Sequence, residues 1–470
     1  MQFIGRRNEL RALERHFQSQ RFEFLVVYGR RRVGKSTLLR RFIENKKAVY
    51  FMSLETDNAV NIRNLSRAIQ FGLSEPEGAV FPDYQTAFEY LFERSHDERI
   101  VVIFDEYPFA ARADRSLASV LQRLIDLHHD RSKMMLILCG SSISYMEEEV
   151  LAYRSPLYGR RTGQLRVEPF DFFDARQLLP HRTPEESALL YGAVGGTPLY
   201  LQQVGESGSI DEVLKNTWLS SSSFFSEEPI TFLRQETRTP ETYFSAIQAI
   251  ADGASRLNEI ATRLQKESAA TVGVLRTLML LGIVARETPY GEKQSRRSLY
   301  RIADNMFRFW FTFVAPNSSI LARGDTEDVV LQRIAPQFSM YMGPIFEEIC
   351  REYLLRELAC GRTPVFFTSL GRWWGTNPET KREEEIDLMG EENKQKALFA
   401  GCKWTNARVD VGVLETLENR SRRLFRHSER YLYLFSRSGF TDACRRRAAE
   451  LSNVKLVTFA EMVEEIPFTD

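Results

Sequence analysis

The chain has 470 residues, with 63 Lys+Arg against 63 Asp+Glu and therefore a formal net charge of zero. This length exceeds the roughly 250 to 300 residues at which single hydrophobic cores stop growing, so we expect two or three domains. The charge balance excludes a strongly basic or acidic field over the whole molecule, so a nucleic-acid surface would have to be a local patch.

The five cysteines are scattered, without the close pairs of a zinc site or the dense framework of a small secreted domain. No apolar run approaches the roughly 18 residues that a membrane span needs. The opening MQFIGRRNEL carries charges where a signal peptide has its apolar stretch. These features predict a cytoplasmic protein with reduced thiols and no membrane partner.

The first motif is a loop between a predicted strand, FEFLVVYG, and a predicted helix, KSTLLRRFIENK. Gly29, Gly34, Lys35 and Ser36 match the pattern GxxxxGK[ST], in which backbone N–H groups and the helix N-terminus surround nucleotide phosphates. We expect Lys35 to reach the β and γ phosphates and the Ser36 hydroxyl to ligate Mg²⁺. Thr37 completes the predicted nucleotide-binding set.

An apolar strand that ends in two acids, RIVVIFDEYPF, supplies the second half of such a site. Asp105 is predicted to hold Mg²⁺ and Glu106 to polarise the attacking water. The alternative is a buried strand that runs into a charged turn. A third strand, KMMLILCGSS, ends at Ser141 and Ser142, either of which is a candidate sensor of the γ phosphate.

The next segment, YRSPLYGRRTG, offers Arg154, Arg160 and Arg161 as candidate catalytic arginine fingers. The alternative is a solvated basic loop. A finger that acts on a neighbouring copy would imply a homo-oligomer.

In this order, the segments FIGRRNEL, YGRRRVGKST, VIFDEYP, CGSSIS, SPLYGRRTG and GGTPLYL resemble the archaeal-type ATPase family of the STAND and AAA+ branch of P-loop NTPases. The resemblance implies an α/β fold with a parallel sheet, and ATP with Mg²⁺ as cofactors. It also implies that Gly5 and Arg6 lie near the adenine and that Gly196 to Pro198 closes a helical lid over the nucleotide. We therefore expect an ATPase core at residues 1–165 and a helical lid at 166–235.

Three helical stretches and a two-stranded segment are predicted for residues 236–304, a pattern typical of a winged helix-turn-helix. If this module bound DNA, the helix at 271–280 would lie in the major groove, and Lys293, Arg296 and Arg297 would contact phosphates. That helix is apolar apart from one arginine, so a winged helix that packs against protein is an equal alternative.

Residues 305–470 contain a predicted helix, GPIFEEICREYLLREL, followed by the strands RWWG, EEEIDLMG and KALFAGCKW. This order resembles the PD-(D/E)XK domain, an α/β restriction-endonuclease-like domain of unknown function found after archaeal-type ATPase domains. In an active member, a helix acid, a strand Asp and a Glu-x-Lys converge on Mg²⁺, which activates water against a phosphodiester.

In this sequence Glu347 or Glu348 matches the helix acid, Asp387 the strand acid and Lys403 the lysine. Gly401 occupies the position of the Glu-x-Lys carboxylate, and no acid beside it can replace that ligand. A binding-only remnant is therefore favoured over an active nuclease.

Three functions stay open at this point. The first is an ATPase associated with DNA, the second a regulatory switch that gates a protein–protein interaction, and the third an ATP-regulated nuclease with a substitute for the missing carboxylate. A continuous positive path from the wing to the basic helix at Arg445–Arg447 would favour the first function. Separate faces would favour the second.

Overall fold

The computed structural model describes residues 3–76, 78–204, 208–292, 295, 297–377 and 380–466. Lys293 and Arg296 of the expected wing lie outside the described residues. Within these ranges, no helix combines the length and apolar composition that crossing a membrane requires.

The strands are β1 (Glu23–Tyr28), β2 (Ala48–Met52), β3 (Val101–Asp105), β4 (Met135–Gly140), β5 (Gly163–Arg166), β6 (Val284–Glu287), β7 (Leu299–Ile302), β8 (Gly371–Thr376), β9 (Glu383–Glu392), β10 (Lys396–Lys403), β11 (Glu429–Ser436) and β12 (Val454–Thr458).

The helices up to the first antiparallel hairpin are α1 (Arg7–Gln18), α2 (Lys35–Ile43), α3 (Asn58–Gly72), α4 (Tyr84–Arg94), α5 (Tyr107–Ala113), α6 (Leu117–His128), α7 (Ile143–Tyr145), α8 (Phe172–Ala175), α9 (Pro184–Val194), α10 (Pro198–Gln203), α11 (Ile210–Leu214), α12 (Phe224–Glu236), α13 (Pro240–Ala251), α14 (Leu257–Leu264) and α15 (Ser268–Leu280). The later helices are α16 (Asn305–Phe309), α17 (Ser318–Leu321), α18 (Glu327–Ile334), α19 (Phe338–Ala359), α20 (Val411–Leu424), α21 (Asp442–Ala449) and α22 (Phe459–Glu465).

The chain divides into two compact units. The first comprises Met1–Pro169 with Thr197–Leu199, and the second comprises Phe170–Gly196 with Tyr200–Asp470.

The first unit is built on a parallel sheet with strand order β2-β3-β4-β1-β5. Every residue of β1, β3 and β4 is buried, as expected for parallel strands that are covered on both faces. Leu38, Leu39 and Phe42 of α2 and Leu13 of α1 pack into the same core as the strands. Since all five strands run the same way, their carboxyl ends lie along one edge of the sheet.

The second unit combines helices with two sheets. Strands β6 and β7 form an antiparallel pair after α13, α14 and α15. A five-stranded mixed sheet follows in the order β12-β11-β10-β9-β8, antiparallel from β8 to β10 and parallel from β10 to β12. The predicted α/β class, with a parallel sheet followed by a separate mixed sheet, is confirmed. The interpretation of the β6–β7 module as a winged helix stays a prediction.

Gly196 shows how tightly the start of the second unit is packed. Its carbonyl accepts a hydrogen bond from Phe170 N at 2.8 Å, and a Cβ at this position would lie 1.7 Å from the carbonyl oxygen of Phe170. The two backbones approach too closely for any side chain at residue 196.

We expect Gly196→Ala to lower the free energy of unfolding by about 2 kcal/mol or more, because the backbone has to move apart. Gly273→Ala is the matched control, since a Cβ there meets nothing within 4 Å and alanine favours the interior of α15 by up to about 1 kcal/mol. Urea denaturation followed by circular dichroism measures both variants. Equal stability of the two would contradict the close approach.

Candidate functional site

The predicted phosphate loop connects the carboxyl end of β1 to the first turn of α2. Gly34 precedes the helix with φ 89°, and the first N–H groups of α2 have no carbonyl partner within the helix, as at any helix start. A Cβ on Gly29 would lie 2.2 Å from the carbonyl oxygen of Val167. Glycine is therefore required where the loop leaves the sheet.

Lys35 lies inside this loop. Its Nζ donates hydrogen bonds to the carbonyl oxygens of Gly29 at 2.9 Å and Arg30 at 2.8 Å, and the residue is only 5% exposed. The ammonium group is thus held by the backbone that the sequence pattern assigns to phosphate binding.

Asp105 and Ser36 meet at the carboxyl edge of the sheet. The Ser36 hydroxyl donates to Asp105 Oδ2 at 2.8 Å, and the backbone N–H of Glu106 donates to Oδ1 at 2.9 Å. The hydroxyl of Tyr50, on β2, also donates to Oδ2. Burial and the charge of Asp105 raise the pKa of Tyr50, so this hydroxyl stays a donor. The sequence interpretation missed Tyr50, whose only signal is its place on a strand that proves to be next to β3.

These oxygen donors fit Mg²⁺, which prefers oxygen ligands and keeps several waters. In the described parts of the chain, no group of three or more His, Cys, Asp or Glu residues could hold a metal ion. Ser36 and Asp105 would therefore share such an ion with ligands from outside the chain, such as water.

Glu106 follows Asp105 in a left-handed backbone conformation, with φ 49°. Its Oε2 accepts hydrogen bonds from the Ser141 hydroxyl at 2.8 Å and the Ser141 N–H at 3.3 Å, and the Ser53 hydroxyl donates to its carbonyl oxygen. A positive φ outside glycine costs free energy and clusters at functional sites. Of the two serines predicted at the end of β4, Ser141 is the one that contacts the acid.

Two further predicted segments contact the phosphate loop. Arg6 Nη2 donates to the carbonyl oxygen of Val33 at 2.9 Å, with Gly5 directly before it. Pro198 Cγ lies 3.8 Å from the position of a Cβ on Gly34. Thr37 is exposed on the first turn of α2.

Arg160 and Arg161 do not lie beside the phosphate loop. Arg160 forms a two-pronged ion pair with Asp126 of α6, with both N···O distances at 2.7 Å, and Arg161 donates to the Leu151 carbonyl oxygen at 3.1 Å. Both precede Gly163, the first residue of β5, which runs parallel to β1. They therefore enter at the amino edge of the sheet, opposite the phosphate loop, and the structure does not bring them to Lys35 of the same chain.

In the C-terminal sheet, Asp387 Oδ2 accepts a hydrogen bond from Cys402 N–H at 2.8 Å and lies 3.4 Å from Lys403 Nζ. Burial and the charge of Asp387 raise the pKa of Glu347 to about 7. Glu348 instead pairs with Arg351, with Nε 3.0 Å from Oε2. The structure thus brings Glu347, Asp387 and Lys403 together and leaves Glu348 outside this group.

Gly401 faces the apolar side of the sheet that α20 covers. A Cβ there would lie 3.1 Å from Leu434 Cδ2, and Leu434 belongs to the hydrophobic core formed with α20. A cavity of about 260 Å³ beside Gly401 is also lined by Asp387, Lys403 and Asp410. Asp410 accepts a hydrogen bond from Val413 N–H at the start of α20, and it forms no metal-binding group with the other acids.

The loop of the β6–β7 hairpin is bonded to the edge strand β8. Tyr290 N–H donates to the Arg372 carbonyl oxygen at 2.9 Å, and Arg297 Nη1 donates to the Trp374 carbonyl oxygen at 3.1 Å. The side chain of Arg297 is also paired with Glu292. Of the three wing residues predicted to contact phosphates, Arg297 is the one that the structure describes, and its side chain contacts protein.

Comparison with protein families matches residues 3–204 to an ATPase domain predominantly from Archaea. Residues 310–421 match a domain described as "Archaea bacterial proteins of unknown function". An uncharacterized protein of Methanocaldococcus jannaschii is 32% identical over 406 residues, which cover 86% of this chain and 87% of that protein. An uncharacterized ATP-binding protein of the same organism is 47% identical over 45 residues, 10% of this chain and 76% of that protein.

Among solved structures, a Walker-type ATPase of Pyrococcus abyssi superposes with a TM-score of 0.53 at 21% identity, covering 66% of this chain and 96% of that chain. This likeness concerns the fold, and it agrees with the parallel sheet and phosphate loop of the first unit.

The raised pKa of Glu347 has a consequence for stability. In the unfolded chain this carboxyl ionises near its ordinary pKa of about 4.3, whereas in the folded protein it holds its proton up to about pH 7. The folded state binds the proton more tightly, so this contribution to stability is present below about pH 4 and is lost as the pH rises to about 7. We expect Glu347→Gln to flatten the fall in the free energy of unfolding over this window, measured by urea denaturation across pH.

Glu348→Gln is the matched control with the opposite sign. Burial opposes ionisation of Glu348, but hydrogen bonding to Arg351 and the neighbouring arginine charges outweigh it and lower its pKa. Replacing the Glu348 carboxylate with an amide should therefore lower the free energy of unfolding at neutral pH. Identical pH slopes for the wild type and Glu347→Gln would contradict the assignment.

Proposed function

This chain belongs to the ATPase family found predominantly in Archaea, and on that basis we propose that it binds ATP with Mg²⁺ at the phosphate loop and hydrolyses the nucleotide. The observation that carries the proposal is the 2.8 Å hydrogen bond between Ser36 and Asp105. It joins the serine of the phosphate loop to the acid at the end of β3, as a shared magnesium site requires.

In this proposal each side chain of the phosphate loop and the acid pair has its own role. The ammonium of Lys35 leaves the carbonyls of Gly29 and Arg30 and pairs with the β and γ phosphates, while the N–H groups at the start of α2 bind the same oxygens. Ser36 and Asp105 would hold the magnesium ion, which when bound would neutralise charge on the phosphates.

Glu106 orients and polarises the attacking water. Its carboxylate is fixed by two hydrogen bonds from Ser141, so Ser141 acts as a positioning residue. Arg6 and Pro198 flank the loop and would contact the nucleotide from either side. Arg160 and Arg161 serve as fingers only if they reach the site of a second copy of the chain, because their own sheet places them at the opposite edge.

For the second unit we propose a winged helix at 236–304 and a PD-(D/E)XK-like remnant at 305–470, whose state follows the nucleotide. One observation favours a switch that gates a protein interaction over an ATPase that works on DNA. The wing loop is bonded to β8, whereas the basic helix α21 packs beside β12, and these strands are the two edges of the sheet. Among the described residues, Arg297 and the Arg445 to Arg447 helix therefore lie toward opposite edges of the sheet, which supports separate faces. A nuclease is disfavoured by the missing third metal ligand.

We expect Lys35→Ala to weaken ATP binding by at least about tenfold, since a charge-assisted contact to phosphate is lost. Isothermal titration calorimetry with ATP and Mg²⁺ measures this change. Arg41→Ala, at an exposed position on the same helix, should bind as the wild type does. Undiminished affinity of Lys35→Ala would disprove the assignment of the loop.

We expect Glu106→Gln to retain ATP and Mg²⁺ binding and to lose at least about 100-fold in the steady-state hydrolysis rate, because the water is no longer polarised. The rate is measured with and without duplex DNA. A rate that DNA leaves unchanged supports the protein-gated switch. Stimulation by DNA that disappears in Glu106→Gln would instead identify nucleic acid as the partner.

A further inference from the structure

The second unit contains a cavity of about 900 Å³. Its walls come from the β6–β7 hairpin, α13, α16, α19 and the strands β8 and β9. This volume lies within the range of about 300 to 1,000 Å³ typical of small-molecule sites. The phosphate loop of the first unit does not contribute to it.

Arginines dominate the polar lining of this cavity. The five are Arg286, Arg301, Arg308, Arg351 and Arg372. Three of them are matched by acids, because Arg301 pairs with Glu287, Arg351 with Glu348 and Arg372 with Glu385.

Arg286 and Arg308, by contrast, donate their hydrogen bonds to uncharged oxygens. Arg308 donates from Nε, at 3.2 Å, and from Nη2 to one backbone acceptor, the carbonyl oxygen of Ile302. Arg286 Nη2 donates to the hydroxyl of Ser298 at 3.1 Å. Among the described residues, neither arginine has a carboxylate within ion-pair distance.

A guanidinium without a carboxylate partner becomes costly when it is removed from water, and this applies to the half-buried Arg308 and not to the exposed Arg286. Burial and the neighbouring Arg301 lower the pKa of Arg308, and the nearby Tyr341, Glu287 and Glu348 offset this only in part. An anion that entered the cavity would supply the missing counter-charge. The planar donor fork of arginine matches the oxygens of a phosphate group.

Other side chains that line the cavity suit the apolar part of a phosphate-bearing ligand. Tyr300, Phe313, Tyr341 and Trp374 contribute aromatic surface. Four acids also line the cavity, Glu287, Glu347, Glu348 and Asp387; Glu287 is paired with Arg301 and Glu348 with Arg351.

We propose that this cavity binds a small phosphate-bearing molecule of nucleotide size, with its phosphate on the wall of Arg308 and Arg286 and its apolar part against the aromatic side chains. The site is separate from the ATPase site and does not depend on it. A small molecule fits better than a nucleic-acid strand, because the hairpin loop is bonded to Arg372 and Trp374, two of the residues that line the cavity.

The test uses the full-length chain with Lys35→Ala, so that the phosphate loop contributes little to binding. AMP and inorganic pyrophosphate are titrated by isothermal calorimetry. We expect both to bind, and Arg308→Gln to weaken the binding by at least about tenfold, the loss for one charge-assisted phosphate contact. Arg286→Gln should weaken it by at least about threefold. Arg333→Gln, at an exposed position of α18 outside the cavity, is the matched control and should leave binding unchanged.

Absence of binding, or binding that is indifferent to both substitutions, would overturn the proposal. Arg286 is exposed, so we expect Arg286→Gln to fold. If Arg308→Gln fails to fold, the binding of AMP and pyrophosphate to Arg286→Gln tests the proposal. A 5′-phosphorylated oligonucleotide that binds more tightly than AMP and depends on the same arginines would overturn the small-molecule assignment in favour of a nucleic-acid end.

Discussion

The hydrogen bond from Ser36 to Asp105 depends on the parallel arrangement of three buried strands. Strand β4 lies between β1 and β3, and the carboxyl ends of all three strands point to one edge. Residues 69 positions apart in the chain therefore meet where the phosphate loop begins. Asp105 is completely buried, and a buried carboxylate is tolerated only when it accepts hydrogen bonds. Ser36, Tyr50 and the Glu106 N–H supply them.

The second unit is organised around one long helix, α19. Glu347 and Arg351 line the large cavity, while Glu352 and Arg356 contact the segment that opens the unit. Glu352 Oε2 accepts a hydrogen bond from Phe172 N–H at 2.8 Å, and burial with the nearby acids raises its pKa.

Arg356 forms a two-pronged pair with Asp171, with its Nε 3.1 Å from Oδ2 and its Nη2 2.7 Å from Oδ1. The same helix therefore joins the α8 segment to the cavity and to the acids beside the C-terminal sheet.

The phosphate loop and the acid pair could be predicted from the sequence, because each is a local pattern beside a continuous apolar strand. Gly29 to Ser36 and Asp105 to Glu106 needed no knowledge of strand order. Tyr50 and the pairing of Arg160 with Asp126 could not be predicted in this way, since they depend on which strands and helices become neighbours. The bonding of the β6–β7 loop to β8 is equally non-local.

Strict strand alternation also failed to describe β9. Pairing with β8 shifts register between Gly371 and Trp373, which face Met389 and Ile386, so β9 contains a bulge. Ile386 and Met389 consequently share the core that α20 covers, although an odd spacing of three residues would place them on opposite faces of a regular strand. A bulge is set by both strands, and the sequence of one strand does not reveal it.

The charges around Asp387 argue against a divalent cation. Magnesium is held by ionised carboxylates, and Gly401 supplies none at the position of the third ligand. The other wall of the cavity carries two arginines, Arg286 and Arg308, that form no ion pair with a described carboxylate. The absence of this one acid lowers the affinity for a metal ion, and it also reduces the repulsion that an anion would meet at this site. The missing carboxylate at Gly401 thus weakens the case for a metal site and is compatible with the proposed phosphate site.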